Sequence, residues 1–358
     1  GVQTCALPIF SNITVPLLGL VDTAVIGHLD SPVYLGGVAV GATATSFLFM
    51  LLLFLRMSTT GLTAQAWGAK DPQRLARALV QPLALALGAG VLIILLRLPL
   101  IDLALHIVGG SEAVLEQARR FLEIRWLSAP ASLANLVLLG WLLGVQYARA
   151  PVILLVVGNL LNIVLDLWLV MGLRMNVQGA ALATVTAEYA TLIIGLLMAK
   201  RVLTLRGVSL AMLKNAWRGD LRRLLALNRD IMLRSLLLQL CFGALTVFGA
   251  RLGSDIVAVN AVLMTMLTFT AYALDGFAYA VEAHSGQAYG ARDGSQLLEV
   301  WRAACRQSGM VALAFALIYS LAGQYIIALL TSLPSLQQLA DRYLIWQTIL
   351  PVVGVWCY

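Results

Sequence analysis

The chain has 358 residues, of which 61% are hydrophobic and only 11% charged, with a formal net charge of +7; its mean hydropathy is +0.90. A soluble domain carries roughly 25% charged residues, and no soluble fold of this length could cover so much apolar surface, so lipid must solvate much of the chain. The positive balance does not point to nucleic acid, because Lys and Arg collect in short segments between apolar runs, as membrane topology requires.

In chain order, the start Gly1 to Ile9 lacks an initiator Met and resembles a translated sequencing adapter. We expect residues 1–10 to be foreign to the natural protein. Apolar runs that meet the ~20 residues needed to cross a ~30 Å hydrocarbon core lie near 10–29, 36–62, 79–108, 121–146, 150–173, 178–200, 230–251, 256–281, 300–330 and 341–358. The last ends at Val355-Trp-Cys-Tyr358 with no closing charge. The expectation is nine spans and a tenth cut short, in a chain inactive as it stands.

Cations mark the connections. Lys70, Arg74 and Arg77 follow the second span, Arg149 the fourth, and Arg292, Arg302 and Arg306 the eighth. The connection after the sixth carries Lys200, Arg201, Arg206, Lys214, Arg218, Arg222, Arg223 and Arg229. All these segments fall on one side, which the positive-inside rule makes cytoplasmic, together with the N-terminus.

An internal repeat organises the spans. Ala64-Gln-Ala-Trp-Gly-Ala-Lys-Asp71 aligns without gaps on Gly286-Gln-Ala-Tyr-Gly-Ala-Arg-Asp293. The same register pairs Gly27 with Gly249, Val25 with Val247, Ala39 with Ala261, Val40 with Val262, Thr43 with Thr265 and Phe47 with Phe269. Both octapeptides end a second helix and enter a cation-rich loop, so the offset spans an even number of helices, six on this reading. Two halves so related share one orientation about an axis along the membrane normal. The expected organisation is a first lobe at 11–203, a basic cytoplasmic connection at 204–229 and an incomplete second lobe at 230–358.

The chemistry-bearing residues are few. Cys5, Cys241, Cys305 and Cys357 are scattered without a CxxC pair, which argues against a disulfide or a zinc site. There is no GxxxxGK[ST] phosphate loop and no GxGD motif. His28, His106 and His284 read as helix-end residues rather than bases. What remains is a set of acids inside apolar spans: Asp22, Asp166, Glu188, Asp275 and Glu282. An ionised acid at mid-membrane costs about 3 kcal/mol on the insertion scale, so such a group is either paired or functional.

Depth separates these acids. At 1.5 Å per residue, Asp22 lies about 18 Å and Asp166 about 24 Å into helices that enter from the cytoplasm. Thr184 lies about 9 Å into a helix entering from outside, and Asn162 sits one turn from Asp166 on the same face. All four can meet in the outer half of the first lobe, where they offer only oxygen ligands or proton carriers, suited to H⁺ or Na⁺. Asp275 and Glu282 share a face near the cytoplasmic end of the eighth span, where pairing with Arg is expected. Glu188 sits near mid-depth. Arg56 and Arg234 lie toward helix ends, where snorkelling is the default. Pro16 breaks the first span's hydrogen bonding six residues before Asp22, as a static kink or a hinge.

The runs Pro16-Leu-Leu-Gly-Leu-Val-Asp-Thr-Ala-Val-Ile-Gly27, Asn159-Leu-Leu-Asn-Ile-Val-Leu-Asp166 and Gly179-Ala-Ala-Leu-Ala-Thr-Val-Thr-Ala-Glu188 resemble the multidrug and toxic compound extrusion (MATE) family, in its DinF branch. The resemblance implies an all-α polytopic membrane protein of two six-helix lobes around a central cavity. It implies a non-enzymatic, monomeric exporter of cationic or lipophilic small molecules in a bacterial inner membrane. Inward flow of H⁺ or Na⁺ would drive export, with no cofactor and no nucleic-acid partner. It matches Asp22, Asn162, Asp166 and Thr184 to the first-lobe cation site, and Pro16 to a bending proline. Some relatives carry an acid early in the seventh helix; Ile231 to Phe248 has none, so a second-lobe cation site is not expected. A flippase for lipid-linked precursors would need more cations at mid-span than this chain has. A membrane enzyme using Asp22 and Asp166 as an acid pair would be indifferent to ion gradients.

Overall fold

The computed structural model describes residues 25–26, 32–147, 149–217, 221–330 and 334–357. Pro16 and Asp22 lie outside them. The described residues form α-helices with short 3₁₀ and π turns and contain no strand. With every backbone polar group of a helix satisfied internally, this is one of the two architectures that lipid permits.

Thirteen helices are labelled in chain order: α1 Pro32–Leu51, α2 Phe54–Gly68, α3 Pro72–Leu95, α4 Arg97–Val108, α5 Glu112–Arg125, α6 Ala129–Gly144, α7 Arg149–Asp166, α8 Asn176–Leu205, α9 Leu210–Asn215, α10 Leu221–Leu252, α11 Ser254–Gly290, α12 Gly294–Leu330 and α13 Pro334–Gly354. Among the described residues, eight helical runs are long and apolar enough to cross a membrane. Three of them join consecutive elements: α1 and α2 form one run of 36 residues broken by a turn at Leu52 and Leu53, α5 and α6 are joined through a 3₁₀ turn, and α7 runs on into a π turn that ends at Gly172. The expected third span, 79–108, divides at Leu96 into α3 and α4.

The first lobe has the larger core. α3 and α6 pack along their lengths, α2 lies against α6, and α1 against α5. Trp141 on α6 is fully buried and donates its indole N–H to the Leu75 carbonyl at 3.1 Å. Trp126, in the 3₁₀ turn that joins α5 to α6, donates to Thr45 Oγ1 at 3.0 Å. A buried indole needs such a partner, because an unsatisfied N–H in an apolar interior costs about 1–3 kcal/mol. In the second lobe, α11, α12 and α13 enclose Met266, Tyr319, Ile327 and Ala340, and the Thr270 and Tyr319 hydroxyls lie 2.6 Å apart. Much of α10 is exposed, with Leu233, Leu237, Leu240 and Phe248 all more than half accessible. Such a surface is one that lipid or further helices would cover.

The two copies of the octapeptide fold identically and face each other. In the first, Lys70 N–H donates to Trp67 O and Asp71 N–H to Ala66 O; in the second, Arg292 N–H donates to Tyr289 O and Asp293 N–H to Ala288 O. These are the paired bonds of a Schellman helix end, and Lys70 and Arg292 occupy its left-handed position with φ of 51° and 55°. A Cβ on Gly68 would lie 1.9 Å from the Gln287 carbonyl oxygen, and a Cβ on Gly290 would lie 2.1 Å from that of Gln65. Gly68 pairs with Gly290 in the repeat and Gln65 with Gln287, so each copy makes the contact that the other makes. Reciprocal contact of this kind is the mark of a local two-fold relation. Arg56 meets Tyr279, Ala64 meets Gly286, and Gly68 meets Gln287, so the two helices run in the same direction. The local two-fold is therefore parallel to them.

Candidate functional site

α7 and α8 lie side by side in the first lobe. α7 carries Asn162 and Asp166 one turn apart, and both are buried, at 2% and 1% exposure. At Asp166 the α-helix gives way to a π turn, Leu167–Gly172. A π turn widens the backbone ladder by a residue and is frequent at functional sites. From α8, Thr184 Oγ1 lies 3.3 Å from Asn162 Oδ1 and 3.2 Å from its own helix's Ala180 carbonyl. The hydroxyl proton is shared between these acceptors, and its lone pairs stay available. Asn162 and Asp166 are thus buried one turn apart on α7, with the Thr184 hydroxyl reaching Asn162 from α8. Asp22 and Pro16, the other two residues expected here, lie outside the described residues.

Glu188 is one turn beyond Thr184 on the same face of α8. Its Oε2 accepts from Asn135 Nδ2 at 3.0 Å, the same amide donates to the Glu188 main-chain carbonyl at 3.1 Å, and Arg125 stands 3.9 Å from Oε1. Glu188 is therefore tied to α5 and α6. Its partners Asn135 and Arg125 were not visible as such in the sequence, since nothing in the linear pattern brings α5 beside α8.

The remaining acids lie at the seam between the lobes. Arg56 on α2 is buried at 3% exposure, 3.7 Å from Glu282 Oε2, with its guanidinium 4.0 Å above the Tyr279 ring. The expected snorkelling of Arg56 is wrong: α11 covers α2 where lipid headgroups would have been needed. Asp275 is half-buried on α11 and, like Glu282, feels the positive charges of Arg56 and Arg234. His284 is also not a helix-end residue. It sits inside α11, its Nδ1 3.2 Å from Gln146 Nε2, and Gln146 also donates to Gln287 Oε1. Asp275 and Glu282 therefore sit with Arg56 where α2 meets α11, whereas Asp166 lies on α7 beside α8. Among the described residues no cluster of three or more His, Cys, Asp or Glu could hold a metal ion, and Cys241 and Cys305 are free thiols.

The MatE family profile matches residues 8–168 and 231–354. DNA damage-inducible protein F of Escherichia coli (strain K12) is 88% identical over 354 residues, which cover 99% of this chain and 77% of that protein. The probable multidrug resistance protein NorM of Acinetobacter baylyi is 22% identical over 347 residues, 95% of this chain and 76% of that protein. A crystal structure of MATE in complex with MaD3S superposes with a TM-score of 0.83 at 25% identity, covering 99% of this chain and 79% of its own. An outward-facing multidrug resistance MATE family transporter superposes at 0.81 with 25% identity and the same coverage. An apolar helical bundle with reciprocal repeats, a family match on both lobes and a near-identical relative lead to one assignment: the chain belongs to the MatE family and is a multi-pass membrane transporter of the multidrug and toxic compound extrusion type, not an enzyme.

Proposed function

We propose that this transporter is a secondary antiporter of a bacterial inner membrane, its N-terminus and cation-rich loops cytoplasmic. It exports cationic or lipophilic compounds against inward movement of H⁺ or Na⁺, as a monomer. Coupling resides in Asp22, Asn162, Asp166 and Thr184, and Pro16 is the hinge of the first helix. The observation that carries the reading is the buried Asp166 beside Asn162, with the Thr184 hydroxyl bridging from the neighbouring helix.

A carboxylate at that depth has two stable conditions: neutral with a proton on it, or charged with a cation against it. The difference between a satisfied and an unsatisfied charge is about 3 kcal/mol on the insertion scale. That is enough to shift a two-state equilibrium by roughly two orders of magnitude. Proton or cation arrival would thus favour one packing of α7 and α8, and departure another. The π turn after Asp166 gives α7 a place to change its ladder without breaking the helix. Asn162 and Thr184 supply neutral oxygens, so they can solvate a proton or Na⁺ without competing for charge. Substrate binding favouring the other packing would then make the two movements exclusive.

The test is transport by the full-length protein in proteoliposomes, with pH and Na⁺ gradients imposed separately. One gradient should drive accumulation of a lipophilic cation, and Asp22→Asn should abolish the response. Export that ignores both gradients, or a well-folded Asp22→Asn protein that keeps its gradient response, would overturn the proposal.

A further inference from the structure

A cavity of about 60 Å³ lies away from both acid sites, where α3, α10 and the inter-lobe connection meet. Three arginines line it. Arg74 and Arg77 are a turn apart on α3 and so share a face, and Arg223 arrives from the first turn of α10. Its floor is apolar and buried, with Ala78 and Leu224 at 7% and 2% exposure. Gln81 fixes the connection beside it, donating to the carbonyls of Ala216 and Trp217 at 3.3 and 3.5 Å.

The described residues gather positive charge around this cavity. Among the described residues no carboxylate lines it, and none of the three arginines takes part in an ion pair. Asp71, the acid next along the chain, spends one oxygen capping α3 through the N–H groups of Gln73 and Arg74. Arg223 gives one guanidinium N–H to Gln65 Oε1 at 3.3 Å. Arg77 Nε is buried and makes no hydrogen bond to the described residues. Topology alone asks only for cations at the surface. It does not ask for three to be gathered around one cavity with a buried N–H left unsatisfied, an arrangement that costs free energy unless an anion completes it.

We propose that Arg74, Arg77 and Arg223 bind a phosphate group, the phosphodiester of an anionic lipid or a free phosphate. Planar guanidinium forks match phosphate oxygens with two parallel hydrogen bonds each. Basic pockets between membrane helices on the cation-rich side are where anionic headgroups bind. Occupancy would fasten the start of the second lobe, through Arg223, to α3 of the first.

The experiment uses the full-length protein in three settings at matched ionic strength: phosphatidylcholine vesicles in chloride, the same vesicles with inorganic phosphate, and vesicles containing phosphatidylglycerol. Thermal unfolding is read in each. The wild type should unfold at higher temperature in at least one of the two anion settings. A response to inorganic phosphate in phosphatidylcholine identifies a free anion, and one confined to phosphatidylglycerol identifies a headgroup. Half-saturation should move to at least roughly tenfold higher probe in Arg77→Gln/Arg223→Gln, as expected when charge-assisted bonds worth about 1.4 kcal/mol are lost. Lys214→Gln/Arg201→Gln, which removes equal charge from exposed positions, should respond like the wild type. If the glutamine pair fails to fold, Arg77→Lys/Arg223→Lys keeps the charge, loses the forks and should show the same weakening. Absence of a response in both anion settings, or one that the control pair loses as fully as the cavity variants, overturns the site.

Discussion

Where α2 meets α11, the Arg56 guanidinium stands 3.7 Å from the Glu282 carboxylate and 4.0 Å above the Tyr279 ring. Where α7 meets α8, the acid Asp166 shares its turn with an amide, and a hydroxyl reaches that amide from across the interface. Both places put an ionisable group inside an apolar bundle, but the partners differ. A cation permanently opposite an acid leaves little for a passing proton to do. On the proposed reading, the Asn162 and Thr184 oxygens near Asp166 let its protonation follow what binds. The repeat sharpens the contrast. The positions that pair with Arg56 and Glu282 in the other copy are Ala278 and Thr60, so the seam is two-fold in its glycines and glutamines but single in its ion pair. The Arg56–Glu282 pair ties α2 to α11; the proposed coupling places the two-condition acid at Asp166.

The largest loss of stability is expected from removing one half of the seam pair. Arg56→Leu leaves Glu282 facing a covered, apolar surface, and truncating one partner of a buried pair costs about 3–5 kcal/mol. Glu282 keeps a quarter of its side-chain exposure, which places the effect near the lower figure. Arg56→Leu/Glu282→Leu should regain most of it, because the pair as a whole is close to neutral against apolar packing. Thermal unfolding of the two variants decides this, and equal destabilisation would show that Arg56 acts through packing alone.

Next come the glycines of the repeat. Gly290→Ala puts a methyl 2.1 Å from the Gln65 carbonyl oxygen. Overpacking costs typically about 1–3 kcal/mol, and a backbone atom cannot rotate aside, so the upper figure is expected. Gly68→Ala, its repeat counterpart, should cost the same within error if the local two-fold is real. A wide difference between them would break the symmetry argument.

In the pocket the stability effects are smaller. Thr184→Val removes one hydroxyl bond of the ordinary ~1 kcal/mol kind, and should weaken the response to the driving gradient more than it lowers the unfolding temperature. An unfolding shift without change in coupling would make Thr184 merely structural.

The smallest effect is at the loop. Hydrogen bonds from the Gln296 main-chain N–H and the Ser295 hydroxyl hold the Asp293 carboxyl below the ordinary carboxylate range. The folded value lies under the unfolded one, so the cap's contribution is complete above the unfolded value and fades as pH falls through the folded one. Asp293→Asn should therefore unfold slightly more easily near neutral pH and converge with the wild type in acid. A gap that widens in acid would reverse the sign.

Much of this was legible in the sequence. Apolar runs of spanning length gave most of the described helices, and the octapeptides gave the repeat register; that the two copies touch, and how their helix ends close, came from the structure. Spacing on one face placed Asn162 with Asp166, and depth placed Thr184 opposite them. What was not legible depends on which helices are neighbours. Arg56 sits among apolar residues near the end of a span, where a long side chain ordinarily reaches water, and only the cover of α11 turns it inward. A sharper use of the repeat could have found it. Glu282 stands one turn from the position that matches Arg56, so two parallel repeat helices must bring the charges together. The break at Leu96 and the π turn after Asp166 have no hydrophobic signature, because both sides of each remain equally apolar. The arginine cavity joins residues far apart in the chain, and no local pattern connects them.

On the proposed reading, Asp166 is the acid that couples and Glu282 one that holds. Gradient-driven uptake by full-length Asp166→Asn and Glu282→Gln, reconstituted side by side at matched folded amounts, tests it most directly. Asp166→Asn should bind substrate but no longer answer an imposed pH or Na⁺ gradient, while Glu282→Gln should unfold at lower temperature yet keep its gradient response. A well-folded Asp166→Asn protein that still concentrates substrate in answer to the gradient would contradict it.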